Sequence, residues 1–64
     1  MDAVHVLPPG SSILERALFR KGQRHVDAGW SLDKMREYSD GVLNRHGFTH
    51  YDAYWTGVDS ILDN

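Results

Sequence analysis

Apolar positions recur along most of this chain with helical spacing. Tyr51, Trp55, Val58 and Leu62 fall at i, i+4, i+7 and i+11, one stripe of a helix, widened by Tyr54 and Ile61. Leu32, Met35, Val42 and Leu43 make a second, looser stripe with His46 at its edge and small Ser39 where a neighbour can approach. A third group, Ile13, Leu14, Ala17 and Leu18, is dense but short, and Gly22 is a point where its helix can end early, with Gln23–Ala28 as an irregular link or a separate turn. Gly41, following Asp40, is expected to weaken or split the middle stripe. Only Val4 and Val6, on either side of His5, alternate as a strand does, and Pro8-Pro9 ends that extended stretch.

Punctuation between the stripes repeats. Gly10-Ser11-Ser12, Gly29-Trp30-Ser31 and Gly47-Phe48-Thr49 share the order Gly-x-Ser/Thr. Glycine suits the left-handed residue beyond a helix end, and a Ser or Thr hydroxyl accepts from the orphan N–H groups of the next helix. Glu15, placed three residues after Ser12, completes a capping box, and Asp52 stands in the same relation to Thr49. Trp30, just before its cap, is placed to staple onto Met35. These signals predict an all-α fold: helices over Ser12–Ala28, Leu32–His46 and His50–Leu62 in one domain spanning 11–64, after an extended arm at 1–10. Short corners make consecutive helices neighbours, with the Met35–Leu43 face on the Tyr51–Leu62 face.

Sixty-four residues hold a small core, and with no cysteine there are neither disulfides nor cysteine-based zinc sites to reinforce it. Dense aromatic packing or burial against a partner must compensate, which makes a homodimer the expected state. A chain this short has little room for an enclosed catalytic pocket, and no nucleophile elbow or comparable motif places its Ser, His and Asp residues, so no enzyme activity is expected. His46 and His50 lie four apart with Asp52 near, but Gly47 between them breaks the ligand spacing; neither a metal nor another cofactor is expected. No segment reads as a signal peptide or membrane span, and a cytoplasmic protein is expected.

Charge divides the chain. Residues 1–30 carry a net +1 and residues 31–64 a net −3, and no Lys or Arg follows Arg45. Arg16, Arg20 and Arg24 recur every fourth residue with Lys21 and His25 beside them, a ridge whose forked guanidinium groups suit phosphates or carboxylates and which otherwise reads as a solvated helix face. Six of the seven aromatic residues lie between Trp30 and Trp55, more than a single stripe buries. Tyr51 and Tyr54 with Asp59 are therefore the expected partner-binding residues, Tyr54 on the flank of the stripe with its hydroxyl in water. The reading that follows is a non-enzymatic module that binds another protein, a regulator or inhibitor. The alternative is a dimeric DNA-binding regulator or antitoxin of ribbon-helix-helix type, which the order arm–helix–helix suits. Its readout residues, Ala3, His5 and Leu7, would carry almost no base-reading capacity, and net charge −2 also disfavours nucleic acid.

Overall fold

A computed structural model describes residues 6–63. Three helices make up the fold: α1 (Ile13–Asp27), α2 (Leu32–His46) and α3 (Phe48–Leu62). Among the described residues there is no strand, and Val6 and Leu7 are irregular; Val4 and His5, the rest of the predicted extended stretch, lie outside them. The Cα radius of gyration, 11.0 Å, is that of a compact chain of this length, yet the Cα extents of 28 × 27 × 14 Å describe a slab.

Local chemistry sets the helix ends. The Ser12 hydroxyl accepts the Glu15 N–H at 3.1 Å while the Glu15 carboxylate accepts the Ser12 N–H at 2.7 Å, closing the capping box. These bonds, the backbone one foremost, favour the ionised carboxylate and lower its pKa. At the other end of α1 the Gly29 N–H donates to Val26 and the Trp30 N–H to His25, both at 3.0 Å, around a Gly29 φ of 81°. That pattern is a Schellman motif, and it requires glycine at its left-handed position. Ser31 then caps α2 by accepting the Lys34 N–H at 3.2 Å. The third corner differs. Gly47, with φ 93°, itself caps α3 without a side-chain bond, so Thr49 lies within the first turn and α3 begins two residues before the expected His50.

Neither glycine that the sequence marks as a helix breaker acts as one. α1 runs through Gly22 and α2 through Gly41. The cost of glycine in each, about 1 kcal/mol relative to alanine, is outweighed by tertiary packing and by the helix on either side.

Packing is unequal. α3 lies against both other helices, most closely against α1, whereas α1 and α2 barely touch despite their short connection. A Cβ at Gly22 would run into the Tyr54 carbonyl, and one at Gly57 into the Phe19 carbonyl, so the α1 and α3 backbones meet directly. Gln23 ties the same pair by donating at 2.9 Å to Ser60 Oγ, which donates to the Gly57 carbonyl at 2.7 Å. The core is Leu18, Met35, Val42, Ala53, Tyr54 and Val58, with buried Ser39 and His25. The buried face of α3 is thus Ala53, Tyr54, Gly57 and Val58, turned from the expected stripe: Tyr51 and Trp55 are half-buried and Leu62 is exposed. Small residues cause the turn, because Ala53 and Gly57 admit the α1 backbone and the helix rotates to bring them inward.

Candidate functional site

Two constellations stand out. The first is an aromatic cluster around His25. Leu18, Gly22 and His25 repeat along one face of α1, which carries the imidazole inward to 7% exposure. Its Nδ1 makes a 2.7 Å hydrogen bond with the hydroxyl of Tyr54, itself fully buried. The Schellman turn folds Trp30 back so that its ring stacks on His25 at 3.5 Å, and Tyr38 from α2 meets His25 edge-on at 4.9 Å. Lys34 Nζ lies 4.3 Å from the Trp30 ring centre, a cation–π contact.

Electrostatics within the cluster favour neutral rings. Burial first, then the ammonium groups of Lys21 and Lys34, hold the His25 pKa below its ordinary value. Burial first, then Tyr38, push the Tyr54 phenol up to about 12. A protonated His25 would have to donate from Nδ1 to Tyr54, turning the hydroxyl proton away into apolar packing. The cluster is built to hold three helices together.

The second constellation is a groove where α1 and α2 splay apart. It has a volume of about 390 Å³ and is lined by Leu14 and Leu18 from α1 and by Tyr38, Gly41 and Val42 from α2, with Glu37, Arg45 and His46 at its rim. Gly41 faces open space: a Cβ there meets nothing within 4 Å. No α3 residue lines the groove, so it opens on the side of the slab away from that helix.

Of the residues the sequence singled out, Tyr54 is corrected most sharply: it is a core residue, with no surface to offer a partner. Tyr51 is half-buried and stacks on exposed Phe48 at 5.7 Å, while Asp59 is exposed, so the expected trio forms no common surface. The basic ridge is exposed throughout and is shared between two shallow depressions. Arg16 and Arg20 border one with Val6, Leu7 and Phe19; Arg20, Lys21 and Arg24 surround Ala17 in the other.

His25, expected beside the exposed ridge, is instead a core residue, and the groove escaped the sequence reading. The spacing of His25 from Leu18, seven residues, marked it as a core position; the groove had no such signal, since it arises from how two helices fail to meet. The rings of His46 and His50 are 5.5 Å apart, and among the described residues no group of three or more His, Asp or Glu side chains is placed to hold a metal. Among the same residues no helix is long and apolar enough to cross a membrane. No family model matches the chain, and no curated protein and no solved structure matches it.

Proposed function

We propose that the protein is a binding module that takes an apolar segment of another protein into the α1–α2 groove. One observation supports the reading above others: in a slab this thin, two neighbouring helices leave an apolar trough floored by Leu14, Leu18 and Val42 and opened further by Gly41. Amphipathic helices bind in grooves of this kind, through apolar residues spaced along one face. A small ligand is normally covered over most of its surface, which an open trough does not provide, and no group in the groove is arranged as a nucleophile with its base. For the DNA-binding alternative, the described end of the N-terminal stretch supplies no strand, and the tight α1–α3 crossing gives α3 a structural role that a strand–helix–helix plan does not call for.

Gly41→Gln tests the proposal. The new side chain fills the groove from a position with free space, so the fold remains intact and melting does not fall. Tagged wild-type protein should retain a binding partner from its source that the variant fails to retain. Equal capture by both proteins would remove the groove from the function.

A further inference from the structure

Four of the seven Lys and Arg side chains stand on α1, and the helix gathers them on one face. With about 100° between successive residues, Ile13, Arg16, Ala17, Arg20, Lys21 and Arg24 share an arc of roughly 140°. That arc faces water: its four cations and Ala17 are exposed, and Ile13 is 87% exposed. Leu18, Gly22 and His25 turn away from it into the core. Arg20, Lys21 and Arg24 line a depression of about 210 Å³ whose one other member is Ala17, so cations surround it without a carboxylate. Arg20 is shared with a neighbouring depression that joins Arg16 to the apolar side chains of Val6, Leu7 and Phe19. Among the described residues none of the four cations lies within ion-pair distance of a carboxylate. Glu15 is engaged in the capping box, and Asp27, the one carboxylate on the arc, is the last residue of α1. The remaining described carboxylates belong to α2, to α3 and to Asp63.

From this pattern we propose that the outer face of α1 docks on the surface of an anionic phospholipid bilayer. Lipid phosphates and carboxylates would sit against Arg20, Lys21 and Arg24, while Ile13 and Val6 would enter the boundary between head groups and acyl chains. The apolar half of the face selects lipid over other polyanions. Ile13 is 87% and Val6 62% exposed, and both stand beside the cations. A nucleic-acid backbone answers the cations alone and leaves those side chains in water, whereas a bilayer interface buries them. Anionic head groups are drawn to Lys and Arg by the field of the surface rather than by an enclosed pocket, so exposed and unpaired side chains on one helix face meet the requirement. The face is separate from the groove, whose α1 residues Leu14 and Leu18 lie outside the arc, so the two surfaces can be occupied independently.

Cosedimentation of the full chain with vesicles tests the proposal. At low salt the protein should sediment with phosphatidylcholine vesicles containing about one third phosphatidylserine and stay in solution with phosphatidylcholine alone. Raising the salt should release it. The double variant Arg20→Gln, Arg24→Gln should bind about 25-fold more weakly, about fivefold for each cation removed. Ile13→Ser should bind about two- to tenfold more weakly with the salt dependence of wild type, because it removes apolar contact and no charge. All three positions are exposed, so circular dichroism and melting of the variants should match wild type.

Equal sedimentation with neutral and anionic vesicles, or none with either, would overturn the docking surface. Undiminished binding by either variant would overturn the placement of this face against the lipid. Tighter binding to duplex DNA than to vesicles, unaffected by Ile13→Ser, would assign the ridge to nucleic acid instead. Movement of the Ala17 and Arg20 amide signals by inorganic pyrophosphate, in a protein that sediments with neither vesicle, would make the depression a site for a free phosphate and overturn the bilayer.

Discussion

The α1–α3 crossing and the α1–α2 groove use the same residue for opposite ends. At the crossing, Gly22 and Gly57 are the points where one backbone rests on another, and neither has room for a methyl group. In the groove, Gly41 leaves a gap that nothing fills. One pair of helices is therefore brought together until no space remains, and the other is held apart although its connection is only four residues long. A small domain that needs stability from a limited core has concentrated it on one side of α1, leaving the other side available.

The comparison breaks most visibly at Tyr54, where α1, α2 and α3 meet. Tyr54→Ala should cost about 3–5 kcal/mol, of the order of the whole stability of a domain this size, and chemical denaturation should show a protein largely unfolded in water. An unchanged midpoint would remove the ring from the core.

Gly57→Ala and Gly22→Ala come next, each costing about 1–3 kcal/mol or more because the new methyl group meets backbone rather than a movable side chain. Both sites lie in one crossing, so the double variant should be less destabilised than the two single losses combined. Additive losses would mean that the two glycines act separately.

Tyr54→Phe removes only the hydroxyl and leaves the buried Nδ1 of His25 without a partner, for about 1–3 kcal/mol. Its pH profile is the sharper measurement. The His25 pKa is held below its ordinary 6.5, so its contribution in wild type is complete above that pH and is lost as pH falls further, where the unfolded chain takes up a proton the folded chain resists. The Tyr54 pKa is raised from 10 to about 12, so its contribution is complete below pH 10 and is lost on going to 12. Melting of Tyr54→Phe should keep the acid loss and shed this tyrosine's share of the alkaline one.

The smallest effect has the opposite sign. Gly41→Ala should stabilise by up to about 1 kcal/mol, through helix propensity with no clash. A loss of stability there would show that the gap is filled in solution.

Three helices and two of their corners were legible because capping is local: Ser12 with Glu15, and Gly29 with Ser31, act within a few residues of chain. The rotation of α3 was not. Its pattern of large apolar residues pointed to Trp55 and Leu62, whereas Ala53 and Gly57 decide which face is buried, and their importance depends on the α1 backbone arriving opposite them. Gly22 misled for the same reason, since a helix breaker and a contact point are the same residue until the neighbour is known. The expected site failed with the rotation, because a turn of the helix takes Tyr54 from the flank to the centre. The arginine ridge was legible as an exposed face, while the residues lining the groove come from two helices and are related only by the fold.

The Schellman turn at Gly29 also gives the molecule an optical reporter. It lays Trp30 parallel to an imidazole at 3.5 Å, within range for electron transfer from an excited indole once that imidazole becomes a cation. Trp55, the other indole, has its Nε1 buried without a hydrogen-bond partner among the described residues and no histidine stacked on it. Acidification should dim one emitter and spare the other, so the fluorescence of an unlabelled sample reads the protonation of a core histidine directly.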